Sequence, residues 1–108
     1  YYGAVAVGTR VFFAPYVEDN VGVLDTTTDT FSTISTVPAG VAADYKYNCG
    51  AAVGTRVFFA PFLEDNVGVL DTTTDTFSTI STVAAGVTAG SKYNVPLVPV
   101  LCGYAPLV

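Results

Sequence analysis

Val7–Val37 reads VGTRVFFAPYVEDNVGVLDTTTDTFSTISTV, and Val53–Val83 reads VGTRVFFAPFLEDNVGVLDTTTDTFSTISTV, 46 residues further on. Only two of the 31 aligned positions differ, Tyr16/Phe62 and Val17/Leu63. The following segments, Pro38–Asn48 and Ala84–Asn94, diverge more. The unit is rich in Val, Phe, Thr and Ile, poor in helix formers, and punctuated by Gly, Pro and Asx residues. That composition predicts short strands rather than helices.

Four strands fit each unit. The first is expected at Gly3–Val7 and Cys49–Val53, ending in Gly-Thr turns. The second is expected at Arg10–Ala14 and Arg56–Ala60, stopped by Pro15 and Pro61, which have no N–H for a ladder. Val21–Asp25 and Val67–Asp71 form the third; Thr30–Thr36 and Thr76–Thr82 form the fourth. Alternation puts Phe12 and Ala14 on one side of the second strand, Val11 and Phe13 on the other. In the third, Val21 and Val23 lie opposite Gly22 and Leu24. Apolar groups on both faces suit a sheet stacked between others, and a period of 40 to 50 residues is that of propeller blades. The fold expectation is all-β: two consecutive four-stranded antiparallel blades, residues 1–48 and 49–94, then an extended apolar C-terminal tail, 95–108.

The order Arg-Val-Phe-Phe, acidic loop, Val-Gly-Val-Leu-Asp, Thr-Thr-Thr-Asp-Thr-Phe resembles a kelch-type β-propeller blade. The residues carrying the resemblance are Leu24-Asp25 with Phe31, and Leu70-Asp71 with Phe77. The kelch diglycine is replaced by Ala14-Pro15 and Ala60-Pro61, and the usual Trp by Phe, as in a degenerate kelch-like repeat of the kind found in unicellular algae. The resemblance implies a partial propeller and no particular activity.

The 108 residues carry four Lys+Arg, nine Asp+Glu and no His, a formal charge of −5. No basic surface can neutralise a run of phosphates, which argues against nucleic-acid binding. Without His, neither His-based catalysis nor His metal ligation is available. No apolar stretch reaches the roughly 20 residues of a membrane-spanning helix. Charged residues make up 12% of the chain, half the usual share of about 25%. Either neighbours cover much of the surface, or Thr and Ser hydroxyls form its polar face. The chain contains no Met, so a processed or partial chain is expected, with a secretory or organellar compartment reached after loss of a targeting segment.

Candidate sites are few, and each has an ordinary structural reading beside it. The loops Glu18-Asp19-Asn20 and Glu64-Asp65-Asn66 are the most acidic spots, either solvated loops or sites for a cation or partner. Asp25, Asp29, Asp71 and Asp75 flank Thr triplets, a pattern of turns closed by side chains or, alternatively, of Ca²⁺ ligation. Arg10 and Arg56 are placed to pair with a carboxylate, including one on a neighbouring blade, or to bind an anion. Tyr1, Tyr2, Tyr45, Tyr47 and Tyr93 fall at blade junctions, where they fill the seam or stack on a sugar or pigment. Cys49 and Cys102 either form a disulfide or remain two buried thiols. The uncharged tail includes Val95, Pro96, Leu97, Val98, Pro99, Val100 and Leu101. Its prolines favour an extended chain, either a docking strand for a partner or a plain terminus.

No nucleophile has a base partner, no phosphate loop occurs, and each candidate group has a twin in the same setting, which argues against catalysis. No cofactor is expected. Two blades fall short of the four to eight that close a propeller. The expected partners are therefore other protein chains, in a homo-oligomer or a larger complex. The role expected is a structural or protein-interaction module, accessory to an organellar membrane complex or an extracellular filament. The alternative is a carbohydrate- or small-ligand-binding, lectin-like propeller formed by oligomerisation.

Overall fold

The computed structural model describes residues 1–88. Two antiparallel four-stranded sheets follow one another, each a meander in sequence order. The first contains β1 (Ala4–Val7), β2 (Arg10–Phe13), β3 (Asn20–Asp25) and β4 (Thr30–Ser35). The second contains β5 (Tyr47–Val53), β6 (Arg56–Pro61), β7 (Asn66–Asp71) and β8 (Thr76–Ser81). The repeat is thus two copies of one all-β unit.

Local chemistry sets the strand ends. Gly8 and Gly54 adopt φ of 60° and 61° in the two-residue β1–β2 and β5–β6 hairpins, a conformation that costs glycine little. The Thr-Thr-Thr-Asp turns close through Asp25, whose Oδ1 accepts from Thr27 N–H at 2.9 Å and Thr27 Oγ1 at 2.6 Å. Asp71 does the same with Thr73. These bonds hold both carboxyls below their usual pKa, the side-chain bond contributing most and the backbone bond next. β4 stops at Ser35, one residue earlier than the pattern suggests, because Thr36 turns inward. It is buried, its N–H bonds Asp19 O at 3.0 Å, and its hydroxyl donates to Val41 O at 2.7 Å. β5 starts at Tyr47, two residues before the expected boundary, with a register shift between Tyr47 and Cys49. Pro61 pairs with Tyr47 as the last residue of β6. It lies past the end of the β6–β7 pairing, so its missing N–H leaves no gap.

The sheets stack face to face, with opposite faces in contact. The first contributes Val5, Phe12, Ala14, Val21 and Val23; the second contributes Tyr47, Val57, Phe59, Leu70 and Phe77. β1 lies along β5, while β4 and β8 approach each other less extensively, so the stack is tighter on the β1–β5 side. The close approach needs glycine: a Cβ on Gly50 would sit 2.7 Å from Phe58 O and 3.3 Å from Val5 Cγ2. The connection between the sheets is stitched to both of them. Lys46 N–H bonds Tyr16 O and Lys46 O accepts from Phe62 N–H, each at 2.9 Å.

Candidate functional site

The acidic loops lie between β2 and β3 and between β6 and β7, and their side chains are engaged in the fold. Asp19 Oδ1 lies 2.8 Å from Lys46 Nζ, whose side chain is wholly enclosed and also donates to Val17 O at 3.1 Å. Asn20 Oδ1 accepts from the Tyr1 hydroxyl. Its twin, Asn66 Oδ1, accepts from the Tyr47 hydroxyl at 2.5 Å, while Asn66 Nδ2 donates to Glu64 Oε2 at 3.4 Å. Burial, then the nearby Glu64 charge, raises the Tyr47 pKa, so this hydroxyl stays a donor. Tyr1 is shifted the same way by burial and by Glu18. Asp65 O accepts from Thr82 N–H at 2.9 Å, as Asp19 O does from Thr36 N–H. Among the described residues, no three or more His, Cys, Asp or Glu side chains come together as a metal site.

Arg10 reaches across the sheets. Its Nη1 bonds Asp75 Oδ1 at 2.9 Å and its Nη2 donates to Thr72 O at 2.5 Å, with its guanidinium carbon 5.0 Å from the Phe12 ring centroid. This is the cross-blade pairing that its position suggests. Arg56 stacks on Phe58 in the same way, at 4.9 Å, but on an exposed face.

The aromatic groups form two kinds of cluster. Tyr1, Phe13 and Phe31 pack with centroid separations of 5.9–6.2 Å. Their repeat equivalents Tyr47, Phe59 and Phe77 pack at 6.0–6.5 Å. The second trio lies under the first sheet, and Tyr47 is 0% exposed. The first trio lies on an open face, with Tyr1 44% and Phe31 52% exposed. Residue typing alone misses this contrast, although the 46-residue spacing of Tyr1 and Tyr47 is legible. In a separate cluster Tyr16 packs against Tyr2 at 5.0 Å, Tyr45 at 5.1 Å and Phe62 at 5.9 Å. Burial, then the neighbouring tyrosines, raises the Tyr16 pKa. Tyr45 holds φ of 59°, in the left-handed region.

Among the described residues, the other end of the stack is also open. Phe58, Ala60 and Val67 are half-buried there, whereas their twins Phe12, Ala14 and Val21 are buried. A concavity of about 280 Å³ lies on this face, bordered by Gly50, Ala51, Phe58, Ala60, Val67 and the half-buried Cys49. Cys102, the proposed bridge to Cys49, and the tail residues 95–101 lie outside the described residues. Among the described residues, no helix is long and apolar enough to cross a membrane. Comparison with protein-family models, with curated proteins and with solved structures yields no match.

Proposed function

We propose that this chain is a non-catalytic structural module that engages other protein chains through the two open faces of its sheet stack. It would serve as an accessory or scaffolding part of a larger assembly. One observation carries this reading. Each open face presents side chains whose twins are buried in or packed against the core. At one end these are Tyr1 and Phe31, against buried Tyr47 and half-buried Phe77. At the other they are Val53 and Ile80, at 64% and 54% exposure, against half-buried Val7 and Ile34. Apolar surface of this kind gains about 25 cal/mol for each Å² removed from water, so a covering partner stabilises the stack. The kelch-like spacing of Leu24-Asp25 and Phe31 supports the same reading, since blades of that family stack on blades.

Native mass spectrometry of the chain as gently isolated from its source tests the proposal. A discrete complex, with itself or with other proteins, is expected. A lone chain under those conditions would overturn it.

The exposed cluster of Tyr2, Tyr16 and Tyr45 favours a second reading, a lectin-like site in which a sugar ring stacks on tyrosine. A glycan array separates the two. Binding abolished by Tyr16→Ala would favour the lectin; no binding to any glycan would leave the structural module.

A further inference from the structure

We infer that the occupant of each open face is a second copy of this chain, docked head to tail so that the contact between sheets inside the molecule repeats between molecules. This inference rests on the interaction-module reading and names its partner. The open face of the second sheet takes the open face of the first sheet of the next copy.

The contact inside the chain serves as the template. The covering face of the first sheet offers Val7, Phe12, Ala14, Val21 and Val23; the open face of the second carries Val53, Phe58, Ala60, Val67 and Val69, of which Val69 is only 6% exposed. Residue types are identical at all five positions. The covered face of the second sheet offers Tyr47, Val57, Phe59, Leu70 and Phe77; the open face of the first offers Tyr1, Val11, Phe13, Leu24 and Phe31, again identical. Among the described residues, surfaces that fit each other once within the chain are thus both presented, unpaired, at its two ends.

One close approach is matched as well. Inside the chain Val5 lies against Gly50, where a larger side chain meets one that is absent. The repeat-equivalent pair between copies is Ala51 against Ala4, two small residues. These two departures from the repeat face each other, and the changes in size run in opposite directions; Cys49, where the first sheet has Gly3, is a further departure on the open face of the second. Charges follow the same scheme. Arg10 inside the chain bonds Asp75 and Thr72 O. Its exposed twin Arg56, already stacked on Phe58, would meet Asp29 and Thr26 O of the next copy. Asp29 and Asp75 share φ of 53°, so the turn that would receive Arg56 has the same backbone as the one that receives Arg10.

A contact between two different surfaces propagates until rotation closes it. The stack is tighter at β1–β5 than at β4–β8, so successive sheets fan around the β1–β5 side. That curvature favours a closed ring of about two to four copies over an open fibre.

The test uses the full 108-residue chain. Analytical ultracentrifugation and native mass spectrometry should show one discrete oligomer that dissociates on dilution. Val67→Glu blocks the open face of the second sheet and Leu24→Glu that of the first. Either alone should weaken association at least about a hundredfold, because a charge is buried without a partner. Mixed in equal amounts, the two variants should form a 1:1 heterodimer, since each retains the face that the other lacks. The milder exposed changes Arg56→Glu and Asp29→Lys should each weaken association about two- to fivefold and recover when combined in one chain. They keep the test decisive if a glutamate variant fails to fold.

Continued assembly of a folded Val67→Glu or Leu24→Glu variant would mean that like faces pair, which overturns the head-to-tail contact. A purified chain that stays monomeric overturns self-association. If the same chain is found bound to other proteins at its source, the interaction-module reading survives that failure. If it is alone there too, both fall.

Discussion

Lys46 Nζ lies 2.8 Å from Asp19 Oδ1, tying the connection that enters the second sheet to the acidic loop of the first. The two partners differ in environment. The Lys46 side chain is fully enclosed, whereas that of Asp19 is 47% exposed. Removing the carboxylate leaves an ammonium that water cannot reach, a cost of about 1–3 kcal/mol after allowance for the solvated half of the pair. Removing the ammonium leaves a carboxylate that water readily solvates. Asp19→Asn should therefore destabilise by about 1–3 kcal/mol, while Lys46→Met, similar in volume, should cost under about 1 kcal/mol. Urea unfolding of both variants measures the difference; equal losses would contradict it.

The Arg10–Asp75 bridge predicts an asymmetry between identical residues. Arg10 holds a carboxylate and a carbonyl of the other sheet, with its side chain 29% exposed. Arg56 has the same sequence neighbours but lies on the open face. Arg10→Ala should cost about 1 kcal/mol, a loss partly screened by salt. Arg56→Ala should leave the dissociated chain unchanged within about 0.5 kcal/mol. Thermal melts at two salt concentrations, run dilute, compare the two.

Acid should loosen the turns before it affects the core. Asp25 and Asp71 have lowered pKa values because Thr27 and Thr73 donate to their ionised form. A carboxyl with a folded pKa below its unfolded value, about 3.9, contributes stability that is complete above that value. The contribution disappears as pH falls through the folded pKa. Thr27→Val and Thr73→Val remove the first-ranked cause, so both carboxyls should titrate nearer their unfolded value and the acid-dependent loss of stability should shrink. Carboxyl-carbon NMR titration reports this directly, and unchanged titration curves would refute the assignment.

The strand architecture was largely legible because alternation and turn chemistry coincide in this repeat. Phe12 and Ala14 point one way, Pro61 closes β6, and Gly8 starts a hairpin. Strand ends were less legible wherever a tertiary bond decides them. Thr36 leaves β4 only because its hydroxyl reaches Val41 O, and Asn48 falls at a register shift that no local pattern marks. The site was harder still. The acidic loops read as exposed charge, yet Asp19 is held by Lys46, the one charged residue of its segment with a fully buried side chain. Composition assigns Tyr1 and Tyr47 the same role. Only packing shows that one is covered and the other is not.

That difference in cover gives the sharpest comparison between the two units. A methyl group on Gly68 would stand 2.9 Å from Tyr47 Cζ and 3.0 Å from Phe77 Cζ. On Gly22 it would stand 2.9 Å from Phe31 Cζ and 3.1 Å from Tyr1 Cζ, almost the same crowding. What differs is whether the rings can move aside. Both tyrosine hydroxyls bond an asparagine Oδ1, Tyr47 to Asn66 and Tyr1 to Asn20, but Tyr47 is also held beneath the first sheet. Tyr1 and Phe31 are about half-exposed and have solvent to swing into. Gly68→Ala should therefore destabilise by about 2–3 kcal/mol, the usual cost of overpacking. Gly22→Ala should cost under about 1 kcal/mol in the dissociated chain. If copies stack head to tail, the next molecule covers Tyr1 and Phe31 as the first sheet covers Tyr47 and Phe77, so Gly22→Ala must weaken assembly although it barely affects the monomer. Unfolding measured at high dilution, beside the dissociation constant of the same variant, separates the two effects. Equal monomer losses for the two glycines would show that cover by the neighbouring sheet does not control how these rings yield.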